Sequence, residues 1–284
     1  MSYVNMRDML SKASHEKYAV GAFNIVDAMT AAAVVRAAEA KRAPVIIQTS
    51  VKTVKLYGCA FLVATVKALA NNANVPIALH LDHCKDLSLI HSCLKAGYSS
   101  VMIDASSFSF QENIRMTKEV VEMAHPHDAT VEGELGAIVG VEDDIHVKEQ
   151  ESHLANPEQA LEYVSQTGVD VFAPAIGTAH GIYKGEPKIA FDLLGRIARE
   201  IRAAIAIHGG TGLSDQVFKK CISLGGAKIN ISTQIKHAFK DSLSEYFRKS
   251  PQVYEPVEIF AYMRDKVQEV IESFIEKFGS EGKA

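Results

Sequence analysis

Short apolar, β-branched runs alternate along the chain with segments whose apolar residues recur every three or four positions. The runs predict strands at Tyr18–Phe23, Val45–Thr49, Ile77–Leu81, Ser100–Ile103, Thr130–Gly133, Val169–Ala173, Ile205–Ile207 and Ala227–Ile231. The periodic segments predict helices near Ala28–Arg42, Ala60–Asn71, Leu87–Ala96, Glu112–Ala124, Pro157–Gln166, Ile189–Arg202, Asp215–Leu224 and Ile235–Arg248. Strands that are apolar throughout, each followed by a helix, imply a parallel sheet covered on its outer face. At 284 residues the natural closure is an α/β fold of the (β/α)8 TIM barrel type, with residues 1–284 as one domain. An open doubly wound sheet is the alternative. It usually carries a glycine-rich turn after its first strand, and Gly21-Ala22-Phe23-Asn24 is no such turn.

Two stretches fall outside the repeating unit. Residues Glu134–Asn156 carry glycines and acids with little periodicity and read as one long loop, the kind that is usually functional or mobile in a compact domain. From about Glu255 to Phe278 an additional C-terminal helix is predicted, with Phe260, Val267, Val270, Ile271, Phe274 and Ile275 as its apolar stripe. That stripe must be buried on the barrel or on a second subunit.

Composition narrows the function classes. The chain is 48% hydrophobic with a formal net charge of -4 and no basic run, so nothing points to nucleic acid or to an anionic membrane surface. No apolar stretch approaches the roughly 20 residues of a membrane span. The opening residues Met1–Asp8 lack an apolar secretory core, and a cytoplasmic location is expected. Cys59, Cys84, Cys93 and Cys221 show no CxxC spacing, so reduced thiols are the simplest reading. Cys84 follows His83 directly, but with no second cysteine beside it a small buried filler is favoured over a ligand or nucleophile.

Three segments far apart in sequence each end an apolar run on a histidine: Ile77-Ala-Leu-His-Leu-Asp82-His83, Ala175-Ile-Gly-Thr-Ala-His180-Gly181 and Ile205-Ala-Ile-His208-Gly209-Gly210. Their agreement in position suggests three strand ends converging on one metal ion. Three neutral imidazoles suit Zn²⁺ with an open coordination position. Asp82 and His83 would follow strand three, Asp104 and Glu134 would end strands four and five, and Asn230, Ser232 and Thr233 would close strand eight. Polar groups from so many strands would then share the C-terminal rim, where barrels place their chemistry. Asp82 reads either as an orienter of an imidazole or as a general acid/base. His80 reads as an interior filler or as support for a ligand, and the remaining histidines read as ordinary residues. Gly181, Gly209, Gly210, Thr211 and Thr233 lie in late-strand loops suited to holding a phosphate.

With these residues in place the chain resembles the class II, zinc-dependent ketose-bisphosphate aldolases of the fructose- and tagatose-bisphosphate type. The resemblance spans nearly the whole sequence: Ala22-Phe-Asn24, His80-Leu-Asp82-His83, Ser100–Ser106, Val131-Glu-Gly-Glu134-Leu-Gly136, Glu142-Asp143-Asp144, Ile176–Gly181, His208–Gly212, Lys228-Ile-Asn230 and Phe278–Ala284. It implies a carbon–carbon lyase of carbohydrate metabolism that cleaves a six-carbon ketose 1-phosphate, tagatose or fructose 1,6-bisphosphate, to dihydroxyacetone phosphate and a three-carbon aldehyde. By the same resemblance His83, His180 and His208 would hold Zn²⁺. Asp104 and Glu134 would mark a second or alternate metal or monovalent-cation position. Asp82 and Glu142 would move protons. Gly181, Lys184, Gly209, Gly210, Thr211, Asn230, Ser232 and Thr233 would surround the C1 phosphate. Asn24, Ser50 and Arg264 would meet the far end of the substrate, Arg264 from the neighbouring subunit of a homodimer or homotetramer.

Departures from the family gather at Val51–Lys55, Ser106–Phe110 and Val139–Asp143. They make a sulfonated substrate, 6-deoxy-6-sulfofructose 1-phosphate yielding sulfolactaldehyde, the alternative. A sugar-phosphate isomerase or epimerase, or a non-catalytic binding subunit, are further alternatives. No lysine stands out as a Schiff-base former; Lys228 shares a strand face with Asn230, which leaves a polar interior role open.

Overall fold

The computed structural model describes residues 2–142, 145–147, 153–181, 183 and 185–284, without the side chains of residues 139, 141, 142 and 145–147. Its centre is a closed, all-parallel barrel of β1 (Val20–Asn24), β2 (Val45–Ser50), β3 (Ile77–Cys84), β4 (Ser100–Ile103), β5 (Thr130–Leu135), β8 (Val171–Pro174), β10 (Ala204–Ile207) and β11 (Gly226–Ile231). These are the eight predicted strands, with ends that differ by at most three residues. Each side-chain alternation splits the barrel into two apolar layers. Outward residues such as Phe23, Ile47, Leu79, Val101, Val131, Phe172, Ile207 and Ile229 form one cluster with the surrounding helices. Inward residues Val20, Ala22, Ile46, Ala78, Val171, Ala173 and Ala206 form a second.

Helices α2 (Ala28–Lys41), α4 (Cys59–Asn71), α5 (Leu87–Ala96), α6 (Phe110–Ala124), α7 (Pro157–Thr167), α8 (Phe191–Glu200), α9 (Asp215–Ser223) and α10 (Thr233–Lys249) cover the strands as expected. Most begin on a side chain that accepts from the first turn: Asp27, Asp86, Ser109, Asn156 and Ser214 do so for α2, α5, α6, α7 and α9. The C-terminal α11 (Pro256–Lys277) packs on α2 and α10, burying Met263, Val267, Ile271, Phe274 and Ile275. Phe260, expected in that stripe, is 42% exposed, as is the N-terminal turn of α11 around it, where Val257 is 72% exposed.

Three features differ from the sequence-based expectation. A helix α1 (Arg7–Glu16) precedes the first strand, and its Met9, Leu10 and Ala13 join Met6 and Tyr18 in closing the lower end of the barrel. A short helix α3 (Val51–Tyr57) follows β2, capped by Ser50. The stretch expected as one loop from Glu134 is ordered into β6 (Val139–Glu142) and β7 (Ile145–Val147), an antiparallel pair, with β6 laddered in parallel on β9 (Ala179–His180). Short strands whose partners lie outside the barrel carry too few residues to show a period. Among the described residues no single helix is long and apolar enough to cross a membrane.

Candidate active site

The polar side chains of the barrel interior are stacked above the apolar layer, on the same inward positions. On β3 the inward series is Ala78, His80, Asp82; on β2 it is Ile46, Gln48, Ser50; on β5 Glu132 and Glu134; on β11 Lys228 and Asn230. Asp82 and His83, expected beyond strand three, lie inside β3. Adjacent residues in a regular strand point to opposite faces, so both could not serve one site. The β3–β4 register shifts between Leu81 and Cys84, and His83 takes a left-handed φ of 47°. That irregularity turns the His83 ring in beside Asp82, a strained backbone of the kind concentrated at functional sites. The next residue, Cys84, is buried on the outward side, with burial pushing its thiol up to about 11, so it is the inert filler expected.

His83, His180 and His208 converge. Their ring centroids lie 4.7–6.0 Å apart, and one ligand nitrogen from each falls within 4.8 Å of the others. They come from β3, from β9 beyond the barrel, and from the residue after β10. Carboxylates orient two of the rings. His83 Nδ1 hydrogen-bonds Asp104 Oδ2 at 3.0 Å, so its Nε2 faces the cluster. His208 Nε2 hydrogen-bonds Glu132 Oε1 at 2.6 Å, so its Nδ1 faces the cluster. Glu134 Oε2 lies 3.3 Å from His208 Nδ1 outside hydrogen-bonding geometry. His83 Nε2, His208 Nδ1 and Glu134 Oε2 are therefore buried without a hydrogen bond and directed at one space.

The charge balance also asks for a cation there. Asp82, Asp104, Glu132 and Glu134 are all buried, against one buried ammonium among the described residues, Lys228. Burial pulls His83 down, but Asp82, Asp104 and Glu134 outweigh it and hold the imidazole well above its ordinary value. Burial likewise opposes Glu132 and Glu134 at His208, which rises to about 9. Carboxylates that draw protons onto these rings will equally favour a divalent ion. Three converging imidazoles, two of them with a carboxylate behind the ring, fit zinc, whose histidine ligands usually donate their second nitrogen to such a partner.

Asp82 is held differently. Asn24 Nδ2 donates to Asp82 Oδ2 at 2.8 Å, and Gln48 Nε2 donates to Asn24 Oδ1 at 2.8 Å. On the other side Asn230 Nδ2 makes a longer 3.5 Å contact with Asp82 Oδ1. The imidazole-orienting role left open for Asp82 belongs, for His83, to Asp104. Asp104 also accepts from Ser106, so its oxygens are engaged, whereas Glu134 keeps one free of hydrogen bonds.

The glycine loops meet at the rim. Gly209, at φ 67°, passes so close to the His180 strand that a Cβ there would lie 2.4 Å from the Ala179 carbonyl oxygen. Tyr183 joins the same two segments: its hydroxyl accepts from Ala179 N–H at 2.9 Å and donates to the Gly209 carbonyl at 2.8 Å. Beside them α10 starts at Thr233 with no cap from Ser232, whose buried Oγ has no hydrogen bond, while Thr211 Oγ1 accepts from the Gln234 N–H at 3.4 Å. The helix start, the spare Ser232 hydroxyl, Thr211 and the Gly209-Gly210 backbone form a corner whose chemistry could suit an anion. Gly181 follows β9 at φ 89°.

Other expected residues are placed elsewhere. Ser50 pairs in register with Asp82, but its Oγ accepts from Thr53 N–H to cap α3. Arg264 is on α11, where its guanidinium is paired with Asp265, and it does not join the cluster. Lys184 and the Glu142 side chain lie outside the described residues. The Glu142 backbone belongs to β6, two residues beyond the Gly140↔His180 pair. Sequence reasoning gave no role to Gln48, Glu132 or Tyr183. Period-two spacing from Ser50 and from Glu134 was the available signal for the first two; nothing local marks Tyr183.

The sequence matches the family described as fructose-bisphosphate aldolase class-II over residues 4–283. The chain belongs to the class II aldolase family. A fructose-bisphosphate aldolase of Geobacillus stearothermophilus is 41% identical to it over 287 residues, covering 100% of this chain and 99% of the relative. The D-tagatose-1,6-bisphosphate aldolase subunit GatY of Klebsiella oxytoca is 40% identical over 282 residues, covering 99% of each. A sulfofructosephosphate aldolase of Alkalicoccus urumqiensis is 37% identical over 284 residues, covering 100% and 99%. The class II aldolases are in general zinc-dependent lyases, and the histidine cluster of this member is one that can hold such a metal.

Proposed function

We propose that this aldolase reversibly cleaves a six-carbon ketose 1-phosphate, tagatose or fructose 1,6-bisphosphate, to dihydroxyacetone phosphate and a three-carbon aldehyde. The supporting observation is the convergence of three imidazoles beside a carboxylate held by two amides, in a chain whose relatives are named for that cleavage. His83, His180 and His208 hold the zinc ion, backed by Asp104 and Glu132. Bound there, zinc supplies Lewis-acid stabilisation for negative charge on the ketone oxygen.

The chain's own groups supply the rest. Asp82 takes the proton from the C4 hydroxyl as the carbon–carbon bond breaks and returns it in the condensation direction. Asn24 keeps one of its oxygens in place meanwhile. Glu142 handles the proton at the dihydroxyacetone phosphate carbon. Its strand is laddered to the one carrying His180, which ties the two steps together. The α10 N-terminus, Gly181, Gly209, Gly210, Thr211, Asn230, Ser232, Thr233 and Lys184 receive the C1 phosphate. Glu134 is the better placed of the two acids for a second metal or monovalent cation. Ser50 and Asn24 face the distal half of the substrate. Arg264 reaches it from the neighbouring copy in a cytoplasmic homodimer or homotetramer, a state that light scattering checks. A planar guanidinium suits the distal anion. Arg264→Ala should lower kcat/KM for the full ketose while leaving affinity for dihydroxyacetone phosphate unchanged; equal losses would discard that assignment.

A sulfonate in place of the distal phosphate is the second reading, supported by the sulfofructosephosphate aldolase relative. The deciding experiment offers fructose 1,6-bisphosphate, tagatose 1,6-bisphosphate and 6-deoxy-6-sulfofructose 1-phosphate and measures dihydroxyacetone phosphate released. Release from one of the bisphosphates supports the first reading, and from the sulfonate alone the second. Turnover of a sugar phosphate without triose release would make the protein an isomerase or epimerase.

A further inference from the structure

Beneath the histidine cluster one fully buried cation touches two networks that the proposed chemistry treats separately. Lys228 is 0% exposed, on the inward face of β11. Its Nζ lies 2.8 Å from Glu132 Oε2, and the other oxygen of that carboxylate accepts from His208. The same Nζ donates to Asn230 Oδ1 at 2.7 Å, and the Asn230 amide nitrogen faces Asp82. The surroundings offer the ammonium little else: Val20 and Ala206 are its register partners on the flanking strands. His80 stands 3.7 Å from Glu132, and burial together with Lys228 keeps its imidazole neutral.

We propose that Lys228 is a positioning residue shared by the metal-facing imidazole and the proton-transfer carboxylate. This rests on the reading of the site as a zinc aldolase centre.

Two physical arguments carry it. An asparagine amide has two orientations of nearly equal shape, with donor and acceptor exchanged. A buried ammonium cannot accept a hydrogen bond, so Lys228 fixes Asn230 with its oxygen down and its NH₂ toward Asp82. In the flipped state Asn230 would set a carbonyl oxygen against that carboxylate. A buried carboxylate, in turn, is stabilised and positioned by a paired cation. Lys228 Nζ, 2.8 Å from Glu132 Oε2, anchors one oxygen and leaves the other to His208. So anchored, Glu132 accepts from His208 Nε2 at 2.6 Å, which fixes the ring so that Nδ1 faces the cluster. One side chain thereby fixes the orientation of an amide on one side and an imidazole on the other.

The test compares Glu132→Gln with the double variant Lys228→Met/Glu132→Gln, alongside the full-length wild type. The double variant removes the buried charges together, so it avoids the uncompensated carboxylate that Lys228→Met alone would leave. Each metal-free protein is titrated with Co²⁺ followed by its visible absorption. Binding of dihydroxyacetone phosphate is then measured on the Co²⁺-saturated forms by calorimetry. Loss of the carboxylate behind His208 should weaken Co²⁺ binding in both variants by about 10–100-fold. Glu132→Gln itself lowers kcat through the loosened His208, and the double variant should lose dihydroxyacetone phosphate affinity and kcat by about a further tenfold relative to it, since only there is Asn230 released. Glu132→Gln and the double variant with the same triose affinity and kcat would overturn the proposal and leave Lys228 a charge balancer. Unchanged Co²⁺ affinity and spectrum in both variants would overturn the His208 half. A wild type that binds neither probe would instead overturn the reading of the site itself.

Discussion

The two ends of the barrel interior are built on the same strands with opposite chemistry. At the lower end Met6, Met9, Leu10, Ala13, Val20, Ile46, Ala78 and Val171 form a dry plug. Two residues further along the same inward faces stand Gln48, His80, Glu132 and Lys228, and beyond them Asp82, Glu134, Asn230 and His208, all buried. The lower end stabilises by removing apolar surface from water, roughly 25 cal/mol per Å². The upper end does the reverse, since each buried charge costs free energy unless paired. Its pairs are Lys228 with Glu132 and His83 with Asp104, with His208 hydrogen-bonded to Glu132. The side-chain atoms left without hydrogen bonds include those that face the shared space between the three rings. Stability and chemistry are thus separated along the barrel axis, with the strand alternation common to both.

That separation can be broken in order of expected effect. His208→Ala should remove both metal and turnover, with cleavage falling by about 10³-fold or more, because two imidazoles do not preserve the geometry. Metal content per chain and the rate of triose release check this; a variant that keeps both would move the centre elsewhere. Asp82→Ala should keep its metal and lose about 10²–10⁴-fold in kcat. Loss of zinc with an unchanged rate per bound metal would reassign Asp82 to orienting a ligand. At the other end, Leu10→Ala should cost about 2–5 kcal/mol of stability through the cavity it leaves. Denaturant unfolding measures that cost, and kcat per folded chain should not move. A matching fall in kcat would erase the contrast between the two ends.

Much of this contrast is legible in the sequence, and the illegible part has a physical cause. Continuous apolar runs reveal the strands, and histidines ending Ile205–Ile207 and following Ala175 reveal the rim. What a run cannot show is a departure from its own period. The register shift and left-handed φ at His83 put Asp82 and His83 on one site, and no spacing rule anticipates them. Helix α1 carries seven polar residues among its ten, so its Met9-Leu10-Ala13 spacing does not stand out. Strand β9 has two residues, so His180 reads as a loop residue although a ladder with β6 holds it. The pairing of Lys228 with Glu132 crosses the barrel interior, where sequence gives the face of each residue but not its partner.

Metal dependence of cleavage tests the central claim most directly. Dihydroxyacetone phosphate release from the preferred ketose is followed in chelator-stripped protein, after adding back Zn²⁺ or Co²⁺, and after borohydride treatment in the presence of substrate. The expected result is an inert stripped protein, activity restored by either ion, and no substrate trapped on lysine. Full activity in the stripped protein, or substrate fixed by borohydride to Lys228 or any other lysine, would contradict it.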